Sequence, residues 1–184
     1  MSDLMKNREM ALENVFFRDL DRKILQDLQD ENEKEVLSKL SGIDDSVHIE
    51  QIFSMGIRAQ TIVALGYIPF IAVAWADGAV EKKERNLIAS KIKVERSDHQ
   101  AMILGLVDRW LARDNHDELL EVWRDYLKGY KSTKGPDAFN SMKADVLEFS
   151  HLVAKSAGGL FGIGSETGSE KELIKRLNNY FNEI

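Results

Sequence analysis

The sequence of 184 residues contains no cysteine and only two prolines. The absence of cysteine excludes disulfide bonds and thiolate zinc sites, and nothing in the composition points to an oxidising compartment. Strand patterns are also scarce, because strict alternation of apolar and polar residues does not extend over five positions. There are 25 Lys and Arg residues against 31 Asp and Glu residues, which gives a formal net charge of -6. This balance argues against nucleic acid as a partner, since phosphate binding requires a basic surface.

Motifs of several enzyme classes are missing as well. The four histidines are scattered, and none of them forms the His-Glu-x-x-His spacing of zinc hydrolases. The sequence has no Gly-x-Ser-x-Gly elbow, and its glycine-rich stretch 158–169 lacks the Gly-Lys-Ser/Thr ending of a phosphate-binding loop. The N-terminus carries acids and amides where a signal peptide needs an apolar region. The sequence therefore predicts a cytoplasmic protein that is not an enzyme.

Helical periodicity recurs along the whole chain, and 43% of the residues are hydrophobic. The sequence therefore predicts an all-α fold, a helical bundle with a substantial core. Apolar faces at helical spacing predict helices over residues 12–28, 36–40, 81–93, 102–111, 119–130 and 139–153, with a short helix inside 41–57.

Local signals place the ends of several of these helices. Ser97 with Gln100, and Ser169 with Glu172, have the spacing of capping boxes and predict two helix starts. The second of these opens a last helix that runs to the C-terminus. The stretch 131–137, KSTKGPD, predicts a loop with a proline near the start of the following helix.

The longest uncharged run extends from Ala59 to Ala76. We predict that it forms the buried central helix of the bundle, over about Gln60–Ala76, with a kink at Pro69. Its length also raises the question of a membrane span. Gly66 and Pro69 interrupt the run, and no aromatic belt or basic flank frames it. We therefore predict no membrane span, and peripheral association with a membrane stays open.

The uncharged run ends at Asp77 and Gly78, and the next predicted helix opens with Glu81 and Glu84. In a structural interpretation, Asp77 accepts backbone N–H groups, Gly78 supplies a positive φ, and the glutamates serve the helix start. In the alternative interpretation, Asp77, Glu81 and Glu84 are hard oxygen ligands of Ca²⁺ or Mg²⁺. These acids do not provide the alternating ligands of an EF-hand loop. Both interpretations stay open, and the three acids are the candidate metal site.

Two segments of the sequence resemble the TerB-like family, an all-helical domain named for tellurite resistance. One carries the Ala-Asp-Gly turn with an acid seven residues past the Asp, here Asp77 and Glu84. The other carries a Gly-Gly turn late in the chain, Gly158 and Gly159, which precedes the last predicted helix. The resemblance covers approximately residues 46–184.

The resemblance implies both a domain organisation and a function. Residues 1–44 would form a helical extension packed on the core, and residues 45–184 the TerB-like domain. The implied function is a non-enzymatic interaction module with a protein partner, linked to tellurite, metal or envelope stress. Because the acids carried over are Asp77 and Glu84, the alternative is a divalent-metal-binding protein or metal-dependent enzyme that uses this turn. A third alternative is a small-ligand binder with a cavity at Pro69. The sequence does not indicate an oligomeric state.

Overall fold

A computed structural model describes the backbone of residues 2–94, 99–157 and 166–184, and the side chains of 18–93, 99–156 and 166–184. These residues form seven α-helices and one 3₁₀ helix and contain no strand, which confirms the predicted all-α class. The 3₁₀ helix, Ala59–Tyr67, precedes α3. The chain divides into two compact units, Met1–Val36 and Leu37–Ile184. The α-helices are α1 Ser2–Ser41, α2 Ser46–Ser54, α3 Ile68–Trp75, α4 Lys82–Val94, α5 Gln100–Leu111, α6 His116–Ala157 and α7 Gly168–Glu183.

The first helix is continuous, whereas the sequence predicted two separate helices before Gly42. The polar stretch 29–35 between the two apolar faces contains no glycine or proline, so nothing in it breaks a helix. Local side-chain pairs also support it: Lys34 Nζ lies 3.1 Å from Glu31 Oε1. Such i,i+3 pairs stabilise a helix by about 0.2–0.5 kcal/mol each.

The central apolar run is two elements, not the single kinked helix that we predicted. Residues Ala59–Tyr67 are 3₁₀-helical, and α3 begins at Ile68 with Pro69 in its first turn. Proline lacks an N–H group and has a fixed φ, so it is well placed where a helix begins and no N–H bond is lost. Pro69 therefore starts a helix instead of bending one. Every residue of Ile68–Ala74 is buried, and α3 packs mainly against α6.

The apolar run Ala59–Ala76 also raised the question of a membrane span. In the part of the chain that the structure describes, no single helix is long and apolar enough to cross a membrane. Among the described helices, α2 and the segment Ala59–Trp75 together have the length and composition for it, and this pair is bent by 89°.

The longest helix, α6, is interrupted at Gly135. The φ of 81° and ψ of 174° at this residue are not helical, and Pro136 follows. Glycine adopts a positive φ without steric cost, and proline is favoured in the first turn of the helix that resumes. The break falls inside the predicted loop 131–137. The loop itself is a wrong prediction, because helical residues flank Gly135 directly on both sides.

The cap of the last helix lies two residues before the predicted cap, Ser169. Thr167 is the N-cap residue, and its Oγ1 accepts a hydrogen bond from the Glu170 N–H at 3.2 Å. The Glu170 carboxylate accepts a hydrogen bond from the Thr167 N–H, which completes a capping box. The predicted box of Ser169 and Glu172 is therefore wrong. The two patterns overlap in sequence, and Glu170, unlike the exposed Glu172, lies in the first turn of the buried face.

The start of α5 is described only from His99 onward. The helix begins at Gln100 after His99, whose own side chain forms no capping hydrogen bond. The side chain of Gln100 instead donates a hydrogen bond to the carbonyl oxygen of Ile92 at 3.1 Å. Ser97 and the Gly-Gly turn at 158–159 lie outside the described residues, so the structure does not address the cap or the turn predicted there.

A close backbone contact at Gly129 in α6 gives a first testable prediction. A Cβ at Gly129 would lie 2.4 Å from the carbonyl oxygen of Ser41 and 2.7 Å from that of Gly42. Because backbone atoms cannot rotate away, we expect Gly129→Ala to lower the free energy of unfolding by about 1–3 kcal/mol. Gly105→Ala in α5 is the control, since nothing lies within 4 Å of a Cβ there. It should be neutral or stabilise by up to about 1 kcal/mol. Equal effects of both variants in urea unfolding would contradict this contact.

Candidate functional site

The turn that ends α3 is held by hydrogen bonds within itself. Asp77 Oδ1 accepts a hydrogen bond from the Ala79 N–H at 3.1 Å, and the Gly78 N–H donates to the Trp75 carbonyl at 2.9 Å. Gly78 has a φ of 92°, which favours glycine. The side chain of Asp77 is exposed. These are the contacts that the structural interpretation of the sequence assigns to Asp77 and Gly78.

Glu84 lies in a different environment from the other two acids of the predicted site. It is only 2% exposed, whereas Glu81 and Asp77 are exposed. Glu84 Oε2 accepts a hydrogen bond from the Glu81 N–H at 2.7 Å, which satisfies one of the free donors at the start of α4. Ile88 and Ile92, four and eight residues further on, continue the same buried face. Glu84 is thus a buried helix-start residue.

Glu170 repeats this arrangement at the start of α7. It is buried, it accepts a hydrogen bond from the Thr167 N–H, and Ile174 follows it on the buried face. Glu170 is not among the predicted site residues, because the sequence pattern assigned the capping role to Glu172. The Thr-x-x-Glu pattern of Thr167 and Glu170, in phase with the apolar face of α7, is the signal that would have found it.

The burial of Glu84 has an electrostatic consequence. Desolvation raises the pKa of this carboxyl from its ordinary 4.5 to about 7. The hydrogen bond from the Glu81 backbone acts in the opposite direction, and repulsion from Asp77, Glu170 and Glu81 raises the pKa further. The carboxyl of Glu84 therefore exchanges a proton near neutral pH. Perturbed carboxyls of this kind occur at functional sites and in structural clusters alike.

The described side chains do not form a complete set of ligands for a metal ion. Within the residues whose side chains are described, no group of three His, Asp or Glu residues could hold a metal ion. One oxygen each of Asp77 and Glu84 already accepts a backbone hydrogen bond. Ca²⁺ requires roughly six to eight oxygen ligands and Mg²⁺ an octahedral set. The site of Asp77, Glu81 and Glu84 for Ca²⁺ or Mg²⁺ stays a prediction.

Two buried glutamates therefore define the candidate site. Glu84 and Glu170, which we call the acid pair, sit at the starts of two helices, and each accepts a hydrogen bond from the backbone three residues before it. The pair is close enough for Glu170 to act on the pKa of Glu84. This arrangement provides one proton-binding group, the carboxyl of Glu84, which its hydrogen bond holds in a fixed position. Comparison of the chain with protein-family models, with curated proteins and with solved structures finds no significant match.

Proposed function

We propose that the protein is a non-enzymatic interaction module of the TerB-like kind, acting in tellurite, metal or envelope stress, and that it assembles through α1. The observation that carries the assembly is a row of exposed aliphatic side chains on this helix. Their exposed fraction rises from 42% at Leu20 to 63% at Leu28. We call the row the α1 stripe, and its members are Leu20, Ile24, Leu25 and Leu28.

The spacing of the stripe is that of a helix-pairing surface. Leu20, Ile24 and Leu28 are four residues apart, so they lie on one face of α1, with Leu25 beside them. A single exposed leucine is ordinary, but a continuous apolar row on a polar helix marks a place where another helix packs. Burial in such a contact stabilises by about 25 cal/mol per Å² of apolar surface removed from water.

The charges beside the stripe favour a second copy of the chain as the partner. Residues 18–23 contain three basic and two acidic side chains, whereas residues 27–35 contain five acidic and one basic. In an antiparallel pair of two copies, the basic end of one α1 meets the acidic end of the other. Leu20 of one copy then lies opposite Leu28 of its partner, with Ile24 near the twofold axis.

The acids at the end of α3 and the start of α4 support a non-enzymatic role. Asp77 and Glu84 each use a carboxylate oxygen to accept a hydrogen bond from their own turn. A catalytic carboxylate must reach a substrate proton or a reacting atom, and the buried Glu84 is instead enclosed at a helix start. The Asp-Gly turn followed by this buried acid also supports the TerB-like assignment.

The mass of the protein in solution tests the proposal, measured by light scattering over a concentration series. We expect a dimer for the unmodified chain and a monomer for Leu28→Lys, because pairing would bury an unpaired ammonium group. Val47→Lys is the matched control, since Val47 on α2 has the same exposed fraction of 63%. It should remain a dimer. An unmodified chain that stays monomeric up to about 0.1 mM would overturn assembly through α1.

A further inference from the structure

A cleft of about 710 Å³ lies between the end of α2 and the connection from α5 to α6, entirely within the unit Leu37–Ile184. Buried Trp110 and half-buried Met55 contribute apolar surface to it. Small-molecule sites typically have volumes of roughly 300–1,000 Å³ and combine apolar walls with a few polar groups. The cleft therefore has the size and the kind of wall that a small organic ligand requires.

Two arginines form one side of this cleft. Arg109 lies in the last turn of α5 and Arg113 lies two residues after its end at Leu111, and both are exposed. Arg109 lies beside Gly56 of the opposite wall, since a Cβ at Gly56 would be in van der Waals contact with Arg109 Nη2 at 3.4 Å. Among the described side chains, neither guanidinium has a carboxylate partner within ion-pair distance. Two arginines that line one cleft without a carboxylate partner suit a ligand that carries a carboxylate.

Two glutamates line the same cleft from α6. Glu118 and Glu121 are exposed, and both are one to two turns into the helix. Within the described residues, no ion pair joins either of them to Arg109 or Arg113. Opposite charges that share a cleft without neutralising each other suit a ligand that is charged at both ends.

We infer that this cleft binds a short peptide with free termini. The peptide carboxylate lies between Arg109 and Arg113, and its ammonium group faces Glu118 and Glu121. Guanidinium groups recognise carboxylates through paired hydrogen bonds, which gives direction as well as affinity. The inference is independent of assembly through α1, because the cleft contains no residue of that helix.

Isothermal titration calorimetry with three forms of one peptide tests each end separately. The probes are Ala-Ala-Ala with free termini, its C-terminal amide and its N-acetyl form. We expect saturable binding of the free peptide and an affinity at least about tenfold lower for each blocked form, because each loses a charge-assisted contact. Absence of saturable binding by the free peptide at about 10 mM would overturn the inference. Equal affinities for all three forms would overturn it as well.

A substitution in the cleft tests whether Arg113 binds the carboxylate of the peptide. Arg113→Gln should weaken binding of the free peptide about tenfold and leave the affinity for the amide unchanged, because the amide does not use the guanidinium. Arg124→Gln is the control, since it removes the same charge on α6, where Arg124 pairs with Glu183 and does not line the cleft. It should bind all three forms as the unmodified protein does. If Arg113→Gln still distinguishes the free peptide from the amide by the original factor, the carboxylate does not bind here. Thermal melting of each variant establishes that it is folded.

Discussion

Phe70→Ala is expected to lower the free energy of unfolding by about 3–5 kcal/mol. Phe70 is 1% exposed at the centre of α3, and its ring makes edge contacts with Phe149 at 4.7 Å and Tyr67 at 6.2 Å between centroids. Truncation removes the buried ring and leaves a cavity. Because the neighbouring residues of α3 are themselves enclosed on all sides, they cannot move far enough to fill it. Urea unfolding followed by circular dichroism measures the change.

The control for this prediction is an apolar truncation at the surface. Val63 lies in the 3₁₀ helix and is 54% exposed, so Val63→Ala should change stability by no more than about 0.5 kcal/mol. An effect of Phe70→Ala as small as that of the control would show that the ring is not enclosed in solution. The slope of the unfolding free energy against urea should stay the same in all three proteins, since none of the changes alters the area exposed on unfolding appreciably.

Glu84→Gln is expected to stabilise the protein by up to about 3 kcal/mol at pH 8 and to have little effect near pH 4.5. The folded state raises the pKa of Glu84 from 4.5 to about 7. Between these values the folded protein keeps a proton that the unfolded chain releases, so stability falls as the pH rises through this window. Glutamine carries no charge, and its carbonyl oxygen can still accept the hydrogen bond from the Glu81 N–H.

Unfolding free energies measured at several pH values between about 4.5 and 8 give the difference between variant and unmodified protein. The difference should grow in favour of Glu84→Gln as the pH rises. Glu172→Gln serves as the control, because Glu172 is exposed on α7 and should show no such trend. A difference that is constant with pH, or that favours the unmodified chain at pH 8, would mean that Glu84 is ionised in the folded state at ordinary pH.

Helix type in the apolar run could not be predicted from its sequence. Periodicity identifies a helix by the contrast between its buried and its polar face, as it does for α5 with Ile103, Leu106 and Val107. The residues of Ala59–Tyr67 are apolar or small on nearly every side, so the pattern cannot distinguish three residues per turn from 3.6. Pro69 was informative, but a proline signals a kink and a helix start equally well.

Only those contacts of the candidate site that lie close together in the sequence could be predicted. The sequence places Glu84 at a helix start, and the Asp77 turn follows from an Asp-Gly pair. The burial of Glu84 and its proximity to Glu170 depend on packing between segments more than eighty residues apart in the chain. The peptide cleft is similar, since it joins the end of α2 to the start of α6. Neither the proximity of Glu84 to Glu170 nor the cleft can be predicted from a local sequence pattern.

The interruption of α6 at Gly135 determines which residues this helix can bring together. Along a straight helix, Trp123 and Phe139 would be separated by about 24 Å, at 1.5 Å for each of the residues between them. Their rings nevertheless lie 5.5 and 5.3 Å, between centroids, from the single ring of Phe181 in α7. The break at Gly135 therefore allows the parts of α6 before and after it to pack against the same side chain, Phe181 of α7.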